Sequence, residues 1–161
     1  MSEVDAEHER LIKRFYEAFS KRDAEGMVAC YADDVRFSDP VFTDLRGDRA
    51  KNMWRMLCER GKDLTIEFTD VKASGANGSA HWEARYTFSV TGRSVHNVID
   101  ASFVFEDGKI KEHVDTFDLW RWAGMALGMS GKLLGWTPLV QGKIRKTAQQ
   151  GLDVWEKKKS S

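Results

Sequence analysis

The feature that most limits what this chain can fold into is a change of hydrophobic period near Asp63. Upstream, apolar residues recur at helical spacing: Leu11, Ile12, Phe15, Ala18 and Phe19 form one stripe, and Ala50, Met53, Trp54 and Leu57 form another. Downstream the spacing becomes two. Three turn signals, Ser74 to Ser79, Thr91-Gly92-Arg93 and Glu106-Asp107-Gly108, divide that stretch into four strands. Strands joined by such short turns make an antiparallel meander. In the second of them Ala80, Trp82, Ala84, Tyr86, Phe88 and Val90 share one face, while His81, Glu83, Arg85, Thr87 and Ser89 share the other. One face packs on helices; the other meets water or a second subunit. Helices followed by an antiparallel sheet predict an α+β domain over residues 1–118, whose sheet can wrap around the helices and leave a pocket.

Between the two helical stripes a second short helix is expected from about Ala24 to Tyr31, ended by Asp33-Asp34. Val35, Phe37 and Asp39 then alternate onto one face of a short strand that Pro40 stops. An acid on that face is either structurally paired or chemically employed. Asp39 reads as a base kept basic by an apolar wall, or as the cap of the turn that Asp-Pro opens. Gly47-Asp48 opens a third helix, with Asp48 as N-cap, and Gly61 closes it.

The length of 161 residues suits one domain that buries roughly 68–70% of its unfolded surface. Its 25 basic and 25 acidic side chains cancel, so no global field attracts nucleic acid or an anionic membrane, and neither is expected as a partner. Cys30 and Cys58 sit in apolar-periodic segments without ligand spacing, as small buried hydrophobes in a reducing compartment. The opening MSEVDAEHER has no apolar signal core and no stretch is long enough to span a bilayer, so a soluble cytoplasmic protein is expected. With no Gly-rich phosphate loop, nucleophile elbow, Ser-His-Asp order or clustered Cys/His set, no metal and no cofactor are expected. Residues 119–161 form a helical extension holding Trp120, Trp122, Trp136 and Trp155: a short helix, a loop near Gly135 to Pro138, and a final helix. It is expected to cap the pocket or pad an interface. A membrane-surface helix is the alternative, against which mixed charges and frequent glycines weigh.

The run LIKRFYEAFSKRDAEGMVACYADDVRFSDP, Leu11 to Pro40, resembles the opening of the nuclear transport factor 2-like superfamily, which includes the ketosteroid isomerases and the SnoaL-like polyketide cyclases. The resemblance covers about residues 8 to 118. It implies a cone-shaped, curved antiparallel sheet around the N-terminal helices, a homodimer through the outer sheet face, and a small apolar ligand. In those isomerases the base is the aspartate of an acid-Pro ending to this same unit, which Asp39 matches. Asp100 precedes Gly108-Lys109 by the spacing at which they carry the protonated acid of their oxyanion hole. Alternation sets Asp100 opposite Ala101, Phe103 and Phe105, so it points inward only through a bulge. Their other donor, a helix-1 tyrosine, falls on Phe15, and losing one donor typically costs on the order of 100- to 1000-fold in rate. Tyr16 is adjacent but about 100° around the helix.

The stretch GKIKEHVDTFD resembles the last strand of SnoaL-like proteins and limonene epoxide hydrolases. Asp115 matches the acid used there in proton transfer, and His113, two residues earlier, faces the same way. The pair also reads as structural. The hydrolases' arginine and aspartate would fall on Trp82 and Ala84, which removes that chemistry. Glu83 and Arg85 read as a solvated or intersubunit ion pair. The resemblance thus implies cofactor-independent, isomerase- or cyclase-type proton transfer on a small carbonyl compound. Asp39 would be the base, Asp115 with His113 a relay, and Asp100 a further group if inward. Phe15, Tyr16, Phe37, Trp54, Trp82, Tyr86 and Phe103 would be the substrate-binding walls. A non-catalytic binding or scaffold module is the alternative.

Overall fold

The computed structural model describes residues 2–160. Helix α1 (Glu3–Ser20) starts where the Ser2 hydroxyl accepts the Asp5 N–H at 3.0 Å, with Glu3 and Asp5 at its positive end. Its buried face is broad: Leu11, Ile12, Phe15, Tyr16, Ala18 and Phe19 all leave solvent. Helix α2 (Ala24–Val28) ends earlier than its periodicity suggests, because Tyr31 already begins strand β1 (Tyr31–Ser38) and is drawn into the core by hydrogen bonds from distant elements. Asp33 and Asp34 therefore lie exposed within the strand instead of ending a helix. A two-residue strand β2 (Leu45–Arg46), invisible to periodicity, folds back on β1. Helix α3 (Asp48–Arg60) starts from Gly47 at φ 57°, and Asp48 makes no capping hydrogen bond. It occupies the first turn, where its charge favours the helix dipole.

Strands β3 (Thr65–Ser74), β4 (Asn77–Phe88), β5 (Arg93–Glu106) and β6 (Lys109–Thr116) form the expected meander. The open, curved sheet runs β2-β1-β6-β5-β4-β3, antiparallel throughout except where β1 lies parallel to β6. Val90 falls in the β4–β5 turn, 77% exposed, and not on the inner face. Side chains of α1, α3 and the sheet together fill the concave side: Phe15, Tyr16, Phe37, Trp54 and Phe103 are fully buried, each stabilising the fold by about 1.5–3 kcal/mol relative to exposure.

The extension holds three helices: α4 (Leu119–Leu127), α5 (Met129–Leu134) and α6 (Pro138–Ser160). Gly128, at φ 77°, breaks what periodicity reads as one short helix. A Cβ on Gly131 would sit 1.9 Å from the Ala123 carbonyl oxygen, so only glycine lets α5 fold so closely on α4. Leu119, Trp122, Ala123 and Ala126 pack against Val95, Tyr86 and Phe88 at the rim of the sheet. Helix α6 returns to α3. Leu152 and Trp155 join the main core, and Arg49 meets Gln149 at 2.9 Å, Asp153 at 2.7 Å, and Glu156. Among the described residues no helix is long and apolar enough to cross a membrane.

Candidate functional site

The parallel pairing of β1 with β6 builds the site. Phe37 stands beside His113 and Ser38 beside Val114, so the next step sets Asp39 beside Asp115. Side-chain alternation turns all four of Phe37, His113, Asp39 and Asp115 to the concave face. His113 is wholly buried, Asp115 is 4% exposed, and Asp39, just past the end of β1, is partly buried.

Asp39 shapes the turn with one of its two carboxyl oxygens. Its Oδ1 accepts the N–H groups of Val41 at 2.7 Å and Phe42 at 2.6 Å, while the Asp39 N–H donates to the Phe42 carbonyl at 2.8 Å. Oδ2 has no protein hydrogen bond among the described residues. Burial raises the Asp39 pKa to about 7. The two N–H bonds pull the other way, and the Asp115 charge adds to the rise.

Asp115 belongs to a directed hydrogen-bond chain. The Trp54 indole N–H donates to the Tyr31 hydroxyl at 2.8 Å, and that hydroxyl lies 2.7 Å from His113 Nδ1. His113 Nε2 lies 2.9 Å from Asp115 Oδ1, which also accepts the Trp82 indole N–H at 3.3 Å. A carboxylate only accepts, so the imidazole carries a proton on Nε2, and Nδ1 shares a hydrogen bond with the Tyr31 hydroxyl. Tyr31 is a site residue the sequence reading missed; a strand start at position 31 was the signal that could have revealed it.

Tyr16 lies beside this chain. Its ring is stacked on Phe68 at 5.5 Å and lies 5.8 Å from Trp82. Its hydroxyl is the one buried side-chain polar atom without a hydrogen-bond partner among the described residues. Burial, and next the Asp115 charge, hold its pKa well above the usual tyrosine value, so it stays a protonated donor. The 100° between Phe15 and Tyr16 therefore does not exclude Tyr16, since the sheet encloses α1 over an arc that takes in both.

The expected walls divide into two groups. Phe15, Phe37, Trp54 and Phe103 close on the His113 ring at centroid distances of 5.4, 5.0, 6.0 and 4.5 Å. Trp82 and Tyr86 lie toward the acids. Tyr86 feels the Asp39 charge, and its hydroxyl accepts the Trp122 indole N–H at 2.8 Å, which ties α4 to the rim. Two surface grooves, of about 520 Å³ beside Arg36, Arg46 and Lys111 and about 350 Å³ beside Arg85, Tyr86 and His96, are not lined by Asp39, His113 or Asp115.

Asp100 does not join the site. The β4–β5 ladder runs without interruption from Asn77 to Phe88, pairing His81 with Asp100, so no bulge turns Asp100 inward. Its side chain is 80% exposed on the outer face, 2.9 Å from His81 Nδ1. Nor do Glu83 and Arg85 pair: Glu83 bridges His81 at 3.0 Å and His96 at 2.7 Å. No group of three or more His, Cys, Asp or Glu among the described residues is arranged to hold a metal ion.

No curated protein sequence matches the chain. Among solved structures, a Jannaschia protein described as a SnoaL-like polyketide cyclase superposes with a TM-score of 0.68 at 15% identity, over 78% of this chain and 94% of that one. A LEH-like epoxide hydrolase of M. tuberculosis gives 0.62 at 20% identity, over 82% and 98%. An NTF2-like protein of unknown function from Burkholderia pseudomallei gives 0.61 at 24%, over 73% and 92%. At these identities the likeness is one of fold. The family model described as the SnoaL-like domain matches residues 12–113, most of the cone from α1 to His113, and the chain belongs to that family.

Proposed function

We propose that this protein is a cofactor-independent enzyme that moves a proton next to the carbonyl of a small, mostly apolar compound, with Asp39 as the base. One observation carries the reading: a partly buried carboxyl with one oxygen anchored by two backbone N–H groups, the other unbonded to protein, and a pKa raised to about 7. A base is most effective with its pKa near the working pH. Ionised Asp39 takes a proton from the carbon beside the carbonyl, the C–H electron pair moves toward the carbonyl oxygen, and Asp39 returns the proton to the same or a neighbouring carbon. Tyr16, with an unused hydroxyl, is the group assigned to the developing oxyanion. Asp115, steadied by His113 and Trp82, disfavours a second negative charge nearby and so keeps Asp39 basic. Pairing of two copies through the outer sheet face, where Val98 and Val114 are 36% and 43% exposed, belongs to the same proposal.

The filling of the inner cone by rings around His113 favours a second reading, a module that binds at the rim without turnover. A thermal-shift screen of ketones, polyketide-like aromatics and terpenoids, followed by NMR of each hit for solvent hydrogen exchange beside its carbonyl, separates the two. Exchange with the native chain that falls at least 100-fold in Asp39→Asn supports the enzyme. Binding without exchange leaves the module. Asparagine keeps an Oδ1 to accept from Val41 and Phe42, so the variant tests the base and spares the turn.

A further inference from the structure

The extension gathers large exposed apolar side chains, whereas those exposed elsewhere among the described residues are single valines. Trp120, Met129, Leu133, Leu134, Trp136 and Leu139 are 49–84% exposed, all on α4, α5, the turn after it and the start of α6. They lie near one another. Trp120 donates its indole N–H to the Lys132 carbonyl at 3.0 Å, and Trp136 donates to the Leu133 carbonyl at 3.1 Å. Both indoles thus satisfy their one polar atom internally and turn bare ring to solvent, and an apolar surface of this kind marks an interaction site.

Charge selects the partner. The extension has mixed charge over its full length, but no acidic residue occurs between Asp118 and Asp153, where Arg121, Lys132, Lys143, Arg145 and Lys146 all lie. Asp118 is used as the N-cap of α4, accepting the Arg121 N–H at 3.0 Å. Leu139, Lys143 and Lys146 are all exposed, and at spacings of four and three they share one face of α6. A molecule with no net charge therefore concentrates positive charge around its most exposed apolar side chains.

We propose that this face of α4, α5 and the first turns of α6 docks on an anionic lipid surface, with Trp120, Leu133, Trp136 and Leu139 entering the headgroup boundary and Lys132, Lys143 and Lys146 meeting the lipid charge. A second copy of the chain fits the face poorly, because face-to-face contact sets lysine against lysine with no carboxylate between them. A lipid surface supplies the missing anions, and each basic residue near it adds to the attraction. The inference stands whether or not Asp39 is a base.

The test is sedimentation of the full chain with phosphatidylcholine vesicles, with and without phosphatidylserine, read with tryptophan emission. The expected result is binding that requires phosphatidylserine, weakens with salt, and shifts emission to the blue. Leu133→Ser/Trp136→Ser/Leu139→Ser lowers the partition coefficient at least tenfold, with an unchanged circular dichroism spectrum. Lys143→Glu/Lys146→Glu weakens binding to the charged vesicles by a similar factor. Equal binding to both vesicles, no binding, or native binding by either variant overturns the proposal. So does a dimer that the triple serine variant dissociates while vesicles capture nothing.

Discussion

Tyr16 shows how one atom can oppose the fold that buries it. A hydroxyl removed from water without a partner costs about 1–3 kcal/mol, and this one is enclosed by Phe15, Phe68, Trp82 and Phe103. Tyr16→Phe deletes the oxygen and keeps the ring, so urea unfolding is expected to show a gain of about 1 kcal/mol. Exchange on any carbonyl ligand should fall on the order of 100-fold or more if that oxygen steadies the oxyanion. A more stable variant with native exchange would leave Tyr16 a packing residue. Tyr31 predicts the opposite sign for the same chemical change. Its hydroxyl serves both the Trp54 indole and His113 Nδ1, so Tyr31→Phe leaves two buried groups unpaired and should cost about 2–3 kcal/mol by the same measurement.

Between elements, close approach of backbone decides stability, and two glycines separate the cases. Gly131→Ala would drive a Cβ into the Ala123 carbonyl and force α5 off α4, a loss of about 3 kcal/mol. Gly142→Ala meets nothing within 4 Å on the exposed side of α6 and should gain up to about 1 kcal/mol from helix propensity. Thermal unfolding of the two variants checks both signs. Periodicity could read β3 to β6 and the buried stripes of α1 and α3, because each keeps one period over many residues. It could also set Asp100 outside, since pleat alternation is local physics, whereas the spacing match to a distant family drew that residue inward. It could not read the end of α2, where Trp54 and His113 claim Tyr31 from 23 and 82 residues away. Nor could it see that rings would close on His113, because alternation tells which side chains face inward and not how much volume they enclose.

Across the whole molecule, Asp39 opposes the other carboxylates whose ionisation the fold shifts, all of which it lowers. Glu25, held by Arg55, Asp63, held by Thr87, and Glu83, held by His81 and His96, have pKa values below the usual range. Such groups add stability above their unfolded pKa values, and that stability is lost as pH falls through their folded ones. Asp39 acts in reverse, with a folded pKa of about 7 against 3.8. Between those values the folded state binds more protons than the unfolded chain, so stability falls as pH rises and the full penalty is present above pH 7. His81, raised by Asp100 and then Glu83, slopes the same way, because its stabilisation is complete below its unfolded pKa and lost above its folded one. Stability should therefore peak near about pH 5, just above the unfolded pKa values of the lowered acids, and decline from there toward neutrality. The Asp39 displacement caps its share at roughly 4 kcal/mol, and the partial exposure of the residue reduces it to on the order of 1–2 kcal/mol. Asp39→Asn should flatten the decline and gain that amount at pH 8, leaving the slope due to His81, which His81→Asn removes. Urea unfolding at pH 5, 6, 7 and 8 tests this without a substrate. If the Asp39→Asn curve runs parallel to the native one, Asp39 ionises like a surface carboxylate and would be too weak a base for the chemistry proposed for it.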